Sequence, residues 1–304
     1  MAGTVVVVGS INADLGVEVD RFPQPGETLN GRGGVLAPGG KGANQALAAR
    51  LQGAQVSMIG AVGDDAAADA ALRFLREAGV HLERLHVESG ATGIALVMVD
   101  AAGENQIIVI PGANASLSPD RVEQWLDQTG DEVVVMQGEI PVETIDHVAA
   151  RTKGRLVLNL APVVGVRRET ILRADPLVVN EHEARLALRL LDPGHPAIDE
   201  EQELVSELMG QGCPSVVMTL GSRGALVGDS SGILEVASIR VEAVDSTGAG
   251  DAFVGTLAAD LALGKNLQAA CRHAAAAAAS TVEHRGAQSS YWAMVDSPDQ
   301  PERQ

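Results

Sequence analysis

Asp245-Ser-Thr-Gly-Ala-Gly-Asp251 is the stretch of this sequence that says most about its architecture. A β-like run at residues 238–244 leads into it, and a helix-compatible segment at residues 251–263 follows it. A glycine turn at that point leaves backbone N–H groups unpaired at a helix N-terminus, where they and the helix dipole favour an anion. The stretch therefore predicts an anion hole, formed by Gly248, Ala249 and Gly250.

Asp251 is the first residue after this turn. A carboxylate beside an anion hole binds phosphate poorly, but it suits the deprotonation of a hydroxyl that attacks a phosphate. Asp is also a favoured N-cap residue, so a structural role at the start of the helix explains it equally well. Both interpretations of Asp251 stay open at this point.

The composition limits the class of protein. With 304 residues, the chain is long enough for one large α/β domain with an insertion, or for two domains. Apolar residues make up 46% of it but aromatic residues only 2%, so we expect a core of Ala, Val and Leu. The formal net charge of −18 argues against nucleic acid or an anionic membrane surface as a partner, because both require a basic face.

The two cysteines, Cys213 and Cys271, lack metal-ligand spacing and suit free thiols in a reducing compartment, so we expect a cytoplasmic protein. The N-terminus has one run of four Val residues and then turns polar, which predicts a strand and not a signal peptide. No apolar run approaches the ~20 residues that a membrane-spanning helix requires.

Most of the chain alternates short Val-rich runs with segments of helix formers. This pattern predicts an α/β fold with a doubly wound, mostly parallel sheet, flanked by helices on both faces, and ligands at the carboxyl ends of its strands. The predicted strands are residues 4–9, 55–59, 132–136, 155–159, 177–179 and 215–220. The predicted helices are residues 43–52, 66–78, 142–151, 181–190, 200–209 and 267–282.

Two segments interrupt this alternation. Residues 15–19 with 31–37, and residues 93–99 with 105–110, are two pairs of strands of antiparallel type. We expect them to form a small β-sheet lid that covers the active site or pairs with another subunit. The predicted boundaries are then residues 1–12, 39–92 and 114–292 for the core, 13–38 and 93–113 for the lid, and 293–304 for a disordered tail.

Polar motifs follow several of the predicted strands. Gly39-Gly-Lys-Gly-Ala-Asn-Gln45 precedes a helix and allows a small polar ligand to approach the backbone, although a glycine-rich helix start is the simpler alternative. It is not a Walker A loop, because Gly follows Lys41 where Ser or Thr would bind magnesium. Asn12 and Asp14 follow the first strand and suit the hydroxyls of a sugar, with an Asx turn as an equal alternative.

Three more candidates lie at strand ends. Asn180 and Glu183 offer hard oxygens for water-coordinated Mg²⁺, although this spacing is more often a helix capping box. Thr219-Leu-Gly-Ser-Arg-Gly224 offers backbone donors and one cation to phosphates or a nucleotide, with an ordinary hairpin as the alternative. Glu139 is another carboxylate near a strand end. The sequence contains neither H-E-x-x-H nor G-x-S-x-G, which argues against metalloprotease and serine hydrolase chemistry.

Together these signals resemble the ribokinase-like (PfkB) carbohydrate kinases over about residues 5–290. Two signatures of that family stand in order, Gly39-Gly-Lys-Gly-Ala-Asn-Gln-Ala46 and Asp245-Ser-Thr-Gly-Ala-Gly-Asp-Ala-Phe253. Further stretches are most similar to the ribokinase branch of the family. They are Gly9-Ser-Ile-Asn-Ala-Asp14, Gly103-Glu-Asn105, Pro111-Gly-Ala-Asn114, Thr219-Leu-Gly-Ser-Arg-Gly224 and Gly286-Ala-Gln-Ser-Ser290.

This resemblance implies ATP-dependent phosphorylation of the 5-hydroxyl of ribose, with Asp251 as the general base beside the anion hole. The residues that it assigns to the sugar are Asn12, Ala13, Asp14, Gly40, Lys41, Gly42, Ala43, Asn44 and Glu139, together with Asp251. Those that it assigns to ATP are Asn180, Thr219, Leu220, Gly221, Ser222, Arg223, Gly224, Gly250 and Ala275.

The resemblance also implies two metal ions and an oligomer. Glu183 would belong to the Mg²⁺ shell, and K⁺ would lie beside the anion hole as a monovalent activator. The K⁺ ligands would come from Asp245, Thr247, Thr281, His284, Gly286 and Ser290. The lid would also make a homodimer.

The chain departs from the family pattern at two places. Ala275 stands where the family usually has Asn or His near the adenine, and His273 is two residues away. Glu283-His284-Arg285 replaces a Thr-Arg-Lys-like stretch, so the side chains of the cation loop differ while its backbone carbonyls remain available. The alternatives are a kinase of deoxyribose, a ketose or a nucleoside, and a sugar-binding regulator without catalysis.

Overall fold

The structure is a computed structural model, and it describes residues 3–126 and 130–295. The strands are β1 (Thr4–Val8), β2 (Asn12–Glu18), β3 (Arg32–Gly39), β4 (Gln55–Gly63), β5 (Leu85–Glu88), β6 (Gly93–Val99), β7 (Asn105–Ile110), β8 (Val133–Gln137), β9 (Leu156–Asn159), β10 (Leu177–Asn180), β11 (Val216–Thr219), β12 (Gly224–Asp229) and β13 (Gly232–Ala237). The α-helices are α1 (Lys41–Leu51), α2 (Ala66–Ala78), α3 (Pro119–Leu126), α4 (Val142–Arg151), α5 (Arg168–Arg173), α6 (Glu181–Leu191), α7 (Glu201–Gly210), α8 (Ala249–Ala262) and α9 (Leu267–Thr281).

The main sheet has the order β13-β12-β11-β10-β9-β8-β1-β4-β5. All neighbours from β5 to β11 are parallel, whereas β11–β12 and β12–β13 pair antiparallel. The six predicted strands form the middle of this sheet, and their carboxyl ends meet at one edge because the strands are parallel. The predicted α/β fold class is therefore confirmed, and the edge hairpin β12–β13 is an addition to it.

The predicted β-like run at residues 238–244 is wrong, because these residues are irregular and mostly exposed. β13 ends at Ala237, opposite Gly224, the first residue of its partner strand. Beyond that point, no strand of the described residues lies alongside to accept the hydrogen bonds of a ladder. The segment instead crosses to the glycine turn before α8 as an extended connection.

The sheet is covered on both faces by apolar helix surfaces. Helices α1, α2, α8 and α9 cover one face, and helices α3 to α7 cover the other. The core is dominated by Ala, Val and Leu, as the composition predicts. Small residues let helices approach closely: a Cβ on Gly255 of α8 would lie 2.6 Å from the Cβ of Ala48 and within contact of the Gln45 carbonyl oxygen in α1. This close contact sets α1 against the second turn of α8, directly after Asp251.

A second, small sheet has the order β3-β2-β6-β7. The β2–β3 and β6–β7 pairs are antiparallel, as predicted, but the central β2–β6 pair is parallel. Both central strands leave the carboxyl-end edge of the main sheet in the same direction, with Asn12 opposite Gly93. One surface of the small sheet exposes apolar side chains at Val35 and at residues 107–110.

The predicted disordered tail begins too early. Ala293 and Met294 belong to a 3₁₀-helix, Ser290–Met294, and Met294 is buried against the core beside α9. The rest of the predicted tail, from residue 296 on, lies outside the described residues. In the described part of the chain, no helix combines the length and the apolar character that a membrane crossing needs.

Candidate active site

The glycine turn before α8 has the geometry of an anion site. Gly248 has φ +78° and ψ −2°, and a Cβ there would lie 2.6 Å from the Tyr291 hydroxyl and 2.7 Å from the Cβ of Ala287. Only glycine suits that position. Within the described residues, the backbone N–H groups of Gly248, Gly250 and Asp251 have no hydrogen-bond acceptor. The predicted donor Ala249 differs, because its N–H already donates to the Ser246 carbonyl at 3.2 Å.

Asp251 is buried and is bound by helix α1. Its Oδ2 accepts a hydrogen bond from Asn44 Nδ2 at 2.9 Å, and its Oδ1 accepts one from Gln45 Nε2 at 2.8 Å. The N-cap of α8 is Gly248, and no side chain caps this helix. The alternative that Asp251 is a capping residue is therefore wrong, and its carboxylate faces the ends of the central strands instead.

A polar cluster lies at the carboxyl ends of β1 and β8. Ser10 Oγ donates to Glu139 Oε2 at 2.6 Å, and the backbone N–H of Lys41 donates to the same oxygen at 3.1 Å. The N–H of Gly42 donates to Ser10 Oγ at 3.2 Å. Gly40, with φ +87°, is the N-cap of α1, so the glycine-rich start of this helix wraps around the Glu139 carboxylate.

Asn12 and Asp14 extend this cluster along β2. Asn114, which the sequence analysis quoted but did not place in the site, donates from Nδ2 to Asn12 Oδ1 at 2.8 Å and accepts from the N–H of Ile11 at 2.9 Å. A cavity of about 360 Å³ opens here, and Asn12, Glu139 and Asn114 line it. Ala13 and Ala43 are fully buried and supply packing and backbone only.

Three carboxylates and one ammonium group share this small volume. Burial, and then the charges of Glu139 and Asp251, raise the pKa of Asp14 to about 7, while Lys41 opposes the shift. Asp14 Oδ1 is buried without a hydrogen-bond partner among the described residues. The charge of Asp251, followed by those of Glu139, Glu183 and Asp14, raises the pKa of Lys41 against the opposing effect of burial. The Asp14 carboxylate can therefore accept a hydrogen bond from a hydroxyl group of a ligand.

A second cavity of about 440 Å³ lies on the other side of the glycine turn. It is lined by Thr219, Gly221, Ser222 and Gly224, by Gly250 of the turn, and by Ala275 of α9. Residues 238–241 form one of its walls. The Ala275 side chain leaves this end of the cavity apolar and provides no polar contact for a base.

Two residues of the 219–224 loop do not face the cavity. The Arg223 guanidinium is exposed and forms ion pairs with Glu181 at 2.8 Å and with Glu201 at 2.6 Å, at the starts of α6 and α7. The expectation that it provides the loop's cation to phosphates is not supported by this arrangement. Leu220 is buried in the core.

Asn180 and Glu183 form a capping box at the start of α6. Glu183 N–H donates to Asn180 Oδ1, and Asn180 N–H donates to Glu183 Oε2, both at 2.8 Å. Burial is the main reason that the pKa of Glu183 is raised. In the described residues, no three acidic, His or Cys side chains come together as a metal site. This donor set fits a divalent ion held mostly by water and phosphate oxygens.

The predicted K⁺ residues lie together behind the anion hole. Asp245 Oδ1 accepts from the Thr247 N–H and hydroxyl, and Oδ2 accepts from the Gly286 N–H at 2.8 Å. Burial opposes ionisation here, but these hydrogen bonds together lower the pKa of Asp245. In this part of the described chain, the carbonyl oxygens of Thr247, His284 and Gly286 accept no hydrogen bond.

Two predicted K⁺ side chains are already engaged. The hydroxyls of Thr281 and Ser290 donate to the carbonyls of Ala278 and Ala287, respectively, at 2.8 Å and 2.7 Å. Each hydroxyl oxygen keeps lone pairs that a cation can use. The loop therefore fits a monovalent cation through oxygen atoms, chiefly of the backbone.

Several polar contacts of this site were missed by the sequence analysis. Gln288 donates to Asn44 Oδ1 at 3.0 Å, and the Tyr291 hydroxyl donates to the Gly248 carbonyl at 2.7 Å. Gln45, the last residue of the quoted glycine-rich motif, contacts Asp251 directly. Gln45 had a signal, because it ends the quoted motif and follows Asn44 in the predicted helix. Gln288 and Tyr291 had none beyond their place near the cation loop.

The model of the family described as pfkB family carbohydrate kinase matches residues 2–294. The chain belongs to this family. Among curated proteins, this pfkB-family kinase is similar to the ribokinase of Bacillus subtilis (strain 168), with 38% identity over 93% of the chain and 94% of the relative. It is also similar to the ribokinase of Schizosaccharomyces pombe, with 35% identity over 96% of each chain.

Solved structures agree with this assignment. The structure of a Thermotoga maritima ribokinase matches with a TM-score of 0.88 and 33% identity, over 96% of this chain and 98% of that one. A structure of the Arabidopsis thaliana ribokinase complexed with ribose and ATP matches with a TM-score of 0.84 and 32% identity, over 97% and 98% of the two chains. The resemblance stated from the motifs is confirmed, and the pfkB-family kinase is a phosphotransferase with an alcohol group as acceptor.

Proposed function

We propose that this kinase transfers the γ-phosphoryl group of ATP to the 5-hydroxyl of D-ribose and releases ribose 5-phosphate and ADP. Ribokinases with 35–38% identity over nearly the whole chain support the substrate pair. The observation that carries the proposal is the position of Asp251. Its buried carboxylate is close enough to raise the pKa values of Asp14 and Lys41 in the polar cluster, and it directly follows Gly250, whose unpaired N–H group adjoins the second cavity.

In the proposed reaction, Asp251 takes the proton of the 5-hydroxyl as its oxygen attacks the γ-phosphorus. A new O–P bond forms, and the bond from the γ-phosphorus to the bridging β-oxygen breaks, so that its electron pair leaves with ADP. The N–H groups of Gly248 and Gly250 donate to phosphate oxygens as charge develops. A positioned base is worth roughly 10²–10⁴-fold in rate, and the remainder comes from orientation and electrostatics.

The sugar is assigned to the cavity at the ends of β1 and β8. Carboxylate and amide oxygens there can accept hydrogen bonds from the sugar hydroxyls, and amide N–H groups can donate hydrogen bonds to the sugar oxygens. The assigned side chains are Asn12, Asp14, Lys41, Asn44 and Glu139, with the backbone of Gly40, Gly42 and Ala43 beside them. ATP is assigned to the 440 Å³ cavity. The loop residues Thr219, Gly221, Ser222 and Gly224 would lie near its phosphates, and Ala275 would lie near its adenine ring.

A divalent metal accompanies ATP in kinases of this kind, and we assign it as Mg²⁺. Such an ion, when bound with ATP, would neutralise charge on the transferring group. Glu183 is the proposed link to its water shell, since one carboxylate oxygen is used by the capping box while the other stays available. Asn180 holds that carboxylate in place through its backbone N–H.

We assign K⁺ to the loop that carries Asp245 and Gly286. The three carbonyl oxygens without donors and the Asp245 carboxylate suit a weakly hydrated cation. Such an ion would order the loop behind the anion hole. Thermal melting at equal ionic strength tests the site: K⁺ is expected to raise Tm relative to Na⁺. Equal Tm values, together with full activity in the absence of K⁺, NH₄⁺ and Cs⁺, would contradict a functional K⁺ site.

We also propose that the small sheet acts as a lid and as the interface of a homodimer. Val35 is 79% exposed, and residues 107–110 are about half exposed, which is unusual for a continuous apolar strand. A second copy of the same strand covers such a surface most simply. A cytoplasmic location is supported by the two cysteines, which are free and buried.

The experiment that tests the function is a coupled ADP-release assay with a panel of acceptors. Ribose is expected to give the highest kcat/KM among pentoses, hexoses, 2-deoxyribose and nucleosides. Two deoxyribokinases of Salmonella share 32% identity with this chain, so 2-deoxyribose is the most informative competitor. A higher kcat/KM for another acceptor would replace ribose in the proposal, and the absence of turnover with every acceptor would contradict kinase activity.

A further inference from the structure

Gln45 is the centre of a buried network of side-chain amides. It lies in α1 next to Asn44 and is fully buried. Its Nε2 donates to Asp251 Oδ1 at 2.8 Å and to Asn159 Oδ1 at 3.0 Å, while its Oε1 accepts from Gln137 Nε2 at 2.7 Å. One glutamine thereby connects helices α1 and α8 to strands β8 and β9.

The orientation of the Gln45 amide is fixed by its neighbours. Asn159 Nδ2 donates to the Val178 carbonyl, so the Asn159 oxygen is the atom that faces Gln45. Gln137 presents its Nε2, which requires an acceptor on the other side of Gln45. A carboxylate can only accept. The Gln45 Nε2 must therefore face the Asn159 oxygen and the Asp251 carboxylate, and the Gln45 Oε1 must face the Gln137 Nε2. Only this orientation of the Gln45 amide satisfies all three partners.

The two oxygens of Asp251 are held from different directions. Gln45 holds Oδ1 from the interior of the sheet, where the other partners of Gln45, Gln137 and Asn159, are also buried. Asn44 holds Oδ2 from the glycine-rich start of α1, which also carries the Lys41 backbone N–H that contacts Glu139. Oδ2 is therefore bound on the side of the glycine-rich start of α1, which also reaches Glu139, and Oδ1 is bound on the side of the sheet interior.

We propose that Gln45 is a positioning residue for the general base. Gln137 and Asn159 fix its amide, and the amide fixes Oδ1 of Asp251, so that Oδ2 stays directed at the 5-hydroxyl. This inference rests on the proposed role of Asp251. A base must lie within hydrogen-bond reach of the proton that it takes, and a displacement of about 1 Å can lower the rate about 100-fold. Sugar binding relies on other side chains, so the effect belongs to kcat and not to ribose affinity.

The test starts with Gln45→Met, which has nearly the same volume but cannot donate to Asp251. The matched control is Gln55→Met, the same change at an exposed glutamine at the amino end of β4, opposite the site. We expect Gln45→Met to lower kcat roughly 10- to 100-fold, while the Kd of ribose from calorimetry changes less than about threefold. Gln55→Met should match the parent enzyme in both.

A double-mutant comparison separates positioning from general damage. If Gln45 acts through Asp251, adding Gln45→Met to Asp251→Asn should lower kcat by less than about twofold further. An additional loss as large as that in the parent background would overturn the proposal, and so would a folded Gln45→Met enzyme with parental kcat.

Gln137→Met provides a second variant if Gln45→Met does not fold. It removes the donor that orients Gln45 and leaves Asp251 untouched. The proposal predicts a several-fold lower kcat that disappears in the Asp251→Asn background; an unchanged kcat would overturn it. The proposed function fails separately, since a parental kcat in Asp251→Asn alone would refute the base, whatever the Gln45 variants show.

Discussion

Asp14 gives a quantitative prediction about how ribose binding depends on pH. Its pKa is raised from 3.8 to about 7, by burial and then by the Glu139 and Asp251 carboxylates. About 9% of such a group is ionised at pH 6 and about 91% at pH 8. Sugar hydroxyls donate to the ionised form, whose Oδ1 has no donor among the described residues. If that form binds ribose, the Kd should fall about tenfold between pH 6 and pH 8.

The same reasoning predicts proton release. At pH 6 most Asp14 side chains are protonated, so ribose binding should release about 0.9 proton per site. Isothermal titration calorimetry in two buffers with different ionisation enthalpies measures this number. Asp14→Asn is the control that separates Asp14 from Glu139, Asp251 and Lys41, and it should abolish the proton release. A parent enzyme whose Kd is constant from pH 6 to pH 8, with no release of protons, would refute the reasoning.

Asp14 should also affect the stability of the ligand-free enzyme. In the unfolded chain its carboxyl loses its proton near pH 4, whereas the folded protein retains the proton up to about pH 7. Because the folded state binds more protons in this window, stability falls as pH rises from 4 to 7 and stays low above it. The same Asp14→Asn control should therefore be stabilised at pH 8, by at most about 4 kcal/mol, and not at pH 4.

Three further predictions follow from the turn and the small sheet. Gly250→Val should lower kcat, because the valine side chain would enter the 440 Å³ cavity assigned to ATP. The fold and ribose binding should remain, because a Cβ at this position meets no atom within 4 Å. A parental kcat with ATP would contradict the assignment of that cavity. Tyr291→Phe removes the hydroxyl that holds the Gly248 carbonyl, so kcat should fall about fivefold with unchanged ribose Kd; an unchanged kcat would show that the turn holds without it. Ile108→Asp should convert the dimer to a monomer in sedimentation experiments, since Ile108 is half exposed on the apolar strand; a parent enzyme that is already monomeric at micromolar concentration would rule out the interface.

The main sheet could be predicted because its signals are local. The run Thr4–Val8 and the other Val-rich segments are buried on both faces and reach strand length, and glycine or polar residues bound them. Residues 238–244 resemble such a strand, but in the part of the chain that the structure describes no partner strand lies beside them. Local pattern cannot report which strands have a neighbour, so this segment was predicted wrongly and the parallel pairing of β2 with β6 was not predicted at all.

The site was predictable where motif residues follow strands, and less so where contacts join distant segments. Asn12 and Glu139 follow β1 and β8, where the parallel sheet brings strand ends together, and Asp251 follows the glycine turn of its own motif. The bond from Gln45 to Asp251 spans 206 positions, and the one from Gln288 to Asn44 spans 244. The contact of Gln45 with Asp251 depends on how closely α1 and α8 pack, which follows from small residues such as Gly255. The ion pairs that keep the Arg223 guanidinium out of the 440 Å³ cavity depend likewise on where α6 and α7 begin, because Glu181 and Glu201 lie at those helix starts.

The most direct test of the central claim is the kinetics of Asp251→Asn combined with calorimetric binding of ribose. Asparagine keeps the size of the side chain and leaves the Gly248 turn unchanged, but it cannot take a proton at neutral pH. If Asp251 is the base, kcat should be lower by roughly 10²–10⁴-fold, with a parental melting curve and a ribose Kd close to that of the parent. A kcat near the parental value in a folded, ribose-binding variant would contradict the role of Asp251 as the base.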